Sequence, residues 1–195
     1  MRRRPVGLLL LLLPAFLPGP PPLTAQQLPL PNGSVREGAL AFDGHATAGD
    51  FTGRTAEVTG RLQGAATLPE VSGWVEAPVR SLLTGNDKRD RDLNKSMESD
   101  RYPMLRFELD RVEPGAGPSD SLPATLVGRM ILHGVTHEVE LPATLRFQED
   151  GVRVTSDFPL NLKDYRIGGL SKLLGLLKMD EHIVVHVDLG FGFDG

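Results

Sequence analysis

Apolar residues recur at every second position through long stretches of this chain, and a period of two confines those stretches to strands that bury one face. From His137 to Phe147 the apolar set is Val139, Leu141, Ala143, Leu145 and Phe147, set against Glu138, Glu140, Thr144 and Arg146. Val152, Val154, Phe158, Leu160 and Leu162 repeat the pattern against Arg153, Thr155, Asp157 and Asn161. Ile183, Val185, Val187, Leu189 and Phe191 do so opposite His182, His186 and Asp188. Short turns between such segments predict an antiparallel sheet with one wet face and one that must be covered.

The same parity extends back through the chain. Strands are expected over Val35–Ala48, with Leu40 and Phe42 inward, and over Phe51–Leu62, with Ala56, Val58, Gly60 and Leu62 inward. Val71–Val79 follows, placing Val75 inward and Trp74 outside or at a rim. Leu105, Phe107 and Leu109, then Leu126, Met130 and Leu132, line two more. That makes about eight strands and no second domain, which favours an all-β, eight-stranded antiparallel barrel over a two-sheet sandwich. Gly44, Ala46, Ala48, Ala56, Gly60, Gly73, Ala77, Gly128 and Ala143 fall on the inward parity. Small residues there are expected to leave an apolar lumen unfilled.

Two segments break the period. Asn86–Ser99 is charged, with Leu93 and Met97 four apart, and predicts one short helix over about 86–99 with Asn86 or Asp87 as N-cap. Leu170, Leu173, Leu174 and Leu177 at i, i+3, i+4 and i+7 predict a leucine-rich helical loop over about 169–178, hinged at Gly168-Gly169. It would close the open end of the barrel, either as a lid touching a bound ligand or as a plain plug.

Arg2, Arg3 and Arg4 precede an apolar run, Val6–Leu13, that is too short to span a bilayer. Prolines then interrupt it and Leu23-Thr24-Ala25 offers a small-residue exit. Residues 1–25 therefore read as a signal peptide, 26–33 as a flexible lead-in and 34–195 as the barrel. The chain has no cysteine, which removes disulfides, thiol catalysis and cysteine-bound metal. Without the three leader arginines, Lys+Arg falls from 21 to 18 against 25 Asp+Glu, near −7. A chain so acidic, without a basic stripe, is a poor fit to nucleic acid.

Ser81-Leu82-Leu83-Thr84-Gly85-Asn86, Arg89-Asp90, Leu93, Tyr102-Pro103 and Phe107 stand in the order and spacing of one family signature. The run Gly128–His137 matches a second, and Phe158–Arg166 and Met179–Phe191 match its closing strands. From about Leu40 to the C-terminus the chain resembles the YceI-like family. Two departures stand out, the small-residue stretch Gly44-His45-Ala46-Thr47 and the leucine-rich 168–179. The resemblance implies a lipocalin-like barrel of eight antiparallel strands in the bacterial periplasm. It further implies an elongated apolar lumen that takes an isoprenoid or other lipid-like chain.

The residues expected to line that lumen are Phe42, Val75, Leu83, Phe107, Met130, Leu132, Phe158, Leu160 and Leu162. Tyr165, with Lys163 and Arg166, is expected at the rim, and Leu170, Leu173, Leu174 and Leu177 at the closure. His182 and His186 are about 13 Å apart on a strand, too far to share a metal, and His133 and His137 lack a third ligand. There is no Gly-x-Ser-x-Gly elbow, His-Glu-x-x-His pair or phosphate-cradling loop. The expectation is a binding protein, not an enzyme, without cofactor, metal or catalytic residues. Its partner would be a hydrophobic small molecule, with no nucleic acid and no stable membrane insertion. Monomer and homodimer both stay open, as do two other readings, a structural or stress-related envelope protein with a packed barrel and no ligand, and an enzyme using the cavity.

Overall fold

The computed structural model describes residues 29–47, 49–118, 120–168, 171–172 and 177–194. The expected signal peptide lies outside them, as do Leu170, Leu173 and Leu174. In chain order the elements are β1 (Gly33–Gly44), β2 (Phe51–Thr55), β3 (Thr59–Gln63), β4 (Ser72–Pro78), α1 (Asp87–Ser96), β5 (Met104–Pro114) and β6 (Leu122–Leu132). They continue with β7 (Val135–Gln148), β8 (Gly151–Asn161), β9 (Ser171–Lys172), β10 (Leu177–Lys178) and β11 (His182–Phe193). One antiparallel sheet runs β11-β8-β7-β6-β5-β4-β3-β1-β2, and β11 also pairs with β1, which closes the ring.

Leu40 faces Thr55 and Gly33 faces Leu62, so β2 and β3 continue a single register along β1. They are two halves of one stave, and the barrel has the expected eight. The break at 56–58 has a partner: β1 carries a bulge between Val35 and Glu37. A bulge adds one residue and flips the side-chain parity beyond it. Thr55 is therefore buried and Ala56 exposed, the reverse of the sequence expectation, while Gly60 and Leu62 face in as expected. Gly38, just past the bulge, has φ +134°, and a Cβ there would sit 2.2 Å from the Asp188 carbonyl oxygen. Only glycine fits that position.

Long connections gather at one end of the barrel. Residues 79–103, which include α1, and the described residues of 162–181 lie there, whereas the opposite end has 64–71, 149–150 and the described residues of 115–121. The helix forms where expected, slightly shorter. The Asn86 side chain accepts from the backbone N–H groups of Lys88 and Arg89, and Met97 closes it. Leu30, expected in a flexible lead-in, is buried and exchanges two hydrogen bonds with Ala65, so packing starts before β1.

The leucine-rich segment departs from its helical reading. Lys172 pairs with Leu177 and Ser171 with Lys178 in a two-stranded antiparallel ladder, so Leu177 belongs to a strand. Gly175 within the run lowers its helix propensity by about 1 kcal/mol relative to alanine.

Candidate ligand-binding cavity

The inner face does not pack into one core. Leu30, Leu62, Leu68, Val71, Leu122 and Phe191 centre one apolar cluster at the short-turn end. Phe42, Val79, Leu82, Met97, Leu132 and Ile183 centre a second at the long-loop end. A cavity of about 650 Å³ runs between and along them, walled almost wholly by apolar side chains. Leu68, on a single 3-10 turn (Leu68–Glu70), is 1% exposed and stoppers the short-turn end beside Val71. At the other end the wall includes exposed residues, Gly49, Asn86 and Lys88, together with Arg89 and Ser96. The mouth is therefore between α1 and the β1–β2 turn.

Phe42, Val75, Phe107, Met130, Leu132, Phe158, Leu160 and Leu162 all line this cavity, as the alternation requires. Leu83 does not. It is 57% exposed and bridges Arg54 backbone to backbone, because β4 ends at Pro78 and the parity no longer applies. Tyr165 is also displaced from the rim: it is 3% exposed, packed edge-on against His137, and burial pushes its hydroxyl pKa above the ordinary value. Arg166, at φ +57°, is exposed, and Lys163 is ion-paired with Glu181. The expected lining also omitted Leu40, Leu105, Leu126, Leu141, Val185 and Val187, which line the cavity. Their parity marked them as inward; nothing in it separated cavity wall from packed core.

Ser156 is the polar side chain placed deep in the wall, and its hydroxyl donates to the Pro142 carbonyl at 2.6 Å. It follows the strand parity that also places Val154 and Phe158 inward.

The small inward residues do not make the space. Of the described members of that set, only Ala46 touches the cavity. A Cβ on Gly128 would lie 2.0 Å from the Glu108 carbonyl oxygen, and one on Gly73 2.3 Å from that of Arg61. Those glycines admit neighbouring backbone and rings, so their volume is already taken. The lumen lies instead along the large inward side chains of the eight staves, which form two apolar clusters and leave the cavity beside them.

At the mouth, Arg89 and Asp90 part company. Asp90 accepts from the Thr84 amide at 2.8 Å and from its hydroxyl at 2.6 Å, fixing the loop before α1. Arg89 turns the other way, its guanidinium carbon 4.4 Å from the centre of the Phe51 ring, a cation–π contact. Phe51 in turn meets Phe42 edge to face at 6.0 Å.

Three of the histidines are tied to neighbouring protein groups. His133 Nδ1 lies 3.0 Å from the Tyr165 carbonyl oxygen and His137 Nε2 3.0 Å from that of Asp164, which pins the β6–β7 turn to residues 162–167. On the outer wall His186 sits between Asp157 at 2.5 Å and Asp43 at 3.1 Å, across β8, β11 and β1. Trp74 is on the outer face as expected, covered by Arg106 at 4.7 Å, which also holds Glu76 and Glu108. Among the described residues no helix is long and apolar enough to cross a membrane.

Comparison with known proteins adds a family and a fold. The sequence pattern of the YceI-like domain matches residues 36–191. No curated protein sequence matches the chain. The barrel is similar to BcnA of Burkholderia cenocepacia, at 13% identity and TM-score 0.67, over 80% of this chain and 98% of that one. A polyisoprenoid binding domain from Saccharophagus degradans aligns at 17% identity and TM-score 0.63, over 83% and 98%. The YceI protein of Campylobacter jejuni aligns at 14% and 0.52, over 64% and 73%.

Proposed function

The chain belongs to the YceI-like family, and from that premise we propose that it holds one long apolar molecule non-covalently in the barrel. The molecule is an isoprenoid or another long-chain lipid, carried or sequestered in the periplasm after removal of residues 1–25. The protein acts as a binding protein and not as an enzyme. The observation that carries this reading is the apolar cavity of about 650 Å³, stoppered at one end and open at the other. A dry cavity of ~150 Å³ accommodates benzene, so the space suits on the order of twenty carbons.

The energetics fit a carrier. Each buried methylene contributes about 0.8 kcal/mol, so a dozen give roughly 10 kcal/mol gross. Ordering a flexible chain and losing its free motion offset a large part, which leaves micromolar to nanomolar affinity. A packed envelope barrel would leave no apolar space of this size along its inner face.

Native mass spectrometry of freshly purified protein, before and after organic extraction, tests the reading. The expected result is a one-to-one adduct of lipid mass that extraction removes. Protein that carries no adduct and takes up none from added C15–C20 isoprenoids or fatty acids would overturn it.

A further inference from the structure

We infer that Arg89 makes the mouth of the cavity selective for amphiphiles whose head group carries an anionic oxygen, phosphate or carboxylate. The inference rests on the carrier reading above and adds to it the class of ligand.

The Arg89 Nε atom is buried and has no hydrogen-bond partner among the described residues. A buried donor left unmade costs about 1–3 kcal/mol, and more on a charged group. Such a group persists where something outside the protein completes it. Its neighbours do not do so. Asp90, adjacent in sequence, is committed to Thr84. The Phe51 ring covers a face of the guanidinium but accepts no conventional hydrogen bond from Nε.

The position is held from both sides. Asn86 caps the Arg89 amide at 3.1 Å and fixes the start of α1. Phe51 stands on Phe42, and the Phe42 ring lies over Gly53, where a Cβ would come within 2.2 Å of it. The guanidinium therefore sits where the apolar wall ends and water begins. The helix amides are not on offer, since Asn86 already accepts from Lys88 and Arg89. What remains for a ligand is the side chain.

Charge points the same way. Lys88, Arg89 and Asp92 all border the cavity, and the two cations outnumber the carboxylate. Lys is a mobile point charge, whereas the planar guanidinium presents several donors in one plane to an oxyanion. A tail drawn into the lumen leaves its head group at this level.

Matched probe pairs separate head from tail. The delipidated full-length mature protein is titrated with geranylgeranyl phosphate against geranylgeraniol, and with palmitate against hexadecanol. Wild type is expected to bind each anion at least about tenfold more tightly than its alcohol. Arg89→Gln should erase the ratio of anion to alcohol affinity, and Arg89→Lys should keep part of it. The pair with the larger ratio identifies phosphate or carboxylate as the head group. Equal wild-type affinity for anion and alcohol, or a preference that survives Arg89→Gln, overturns this inference and leaves the carrier reading standing. Binding of none of the four probes overturns the carrier reading itself. The wild-type ratios decide the matter even if a variant folds poorly.

Discussion

Single side chains on the outer wall set how the barrel responds to pH. His186 is held above the ordinary histidine pKa, chiefly by its hydrogen bond to Asp157 and then by Asp43, while burial opposes the shift. Asp43 is held below the ordinary carboxylate range by the Thr52 hydroxyl first and His186 second. A raised histidine contributes fully below its unfolded pKa, and the contribution is lost as pH rises through the folded value. A depressed carboxylate contributes above its unfolded pKa and loses its share as pH falls through the folded one. The two shifts together make the β8–β11–β1 seam tightest at about pH 4.5–6. The expected outcome is a Tm that declines as pH rises above about 6.5, with a shallower decline in His186→Asn. Equal slopes in the two proteins would remove the seam from the account. None of this was legible beforehand. The alternation put His186 and Asp157 on the wet face, but register decides whether residues 29 apart become neighbours.

At the level of elements, what the sequence made readable was period, and what it hid was interruption. The alternation placed Phe158, Leu160, Val185 and Leu189 correctly because β8 and β11 run unbroken and pair residue for residue. It inverted Thr55 and Ala56 because two facing irregularities, each costing little locally, shift parity together. Leu83 was misplaced for a related reason: it lies beyond the end of β4, where the alternation gives no guide to which way a side chain faces. The inward glycines misled differently, since a missing side chain reads as space until the neighbour that occupies it is known. The helix was legible from its cap and its i, i+4 pair. Its attachment was not: none of its ten residues is buried, and it leans on the barrel through half-buried Leu93 and the following Met97. The Asp90–Thr84 hydrogen bonds should therefore govern how firmly it sits. Asp90→Ala is expected to speed amide hydrogen exchange over 87–96 by about tenfold or more, with β5–β8 unchanged, while Asp90→Asn retains an acceptor and most of the protection. Exchange spreading equally into the strands would assign Asp90 to global stability instead.

For the whole molecule, the dimension that matters is the depth of the cavity between the two clusters. Eight strands give a ring just wide enough for side chains or for one slim ligand, so the lumen is limited in width and generous in length. Affinity should then rise with chain length, by roughly tenfold for every two added methylenes at first. It should level off near twenty carbons, where the tail meets Leu68 and Val71. A series of saturated fatty acids or prenyl alcohols titrated against the delipidated protein measures this. Affinity that keeps rising well beyond that length would mean the tail finds a second exit. Bound lipid should also raise the Tm, by about 2.7 kcal/mol of added stability at a hundredfold excess over Kd.

The Leu68 stopper has a topological consequence. A sleeve blind at one end is loaded and emptied through one doorway, so a tail goes in first and comes out last. Such a vessel cannot act as a conduit joining two membranes at once. On the carrier reading proposed above, it lets go of a donor, turns in solution and presents the same lip to an acceptor, which makes each delivery a single diffusive trip with the head group foremost on leaving.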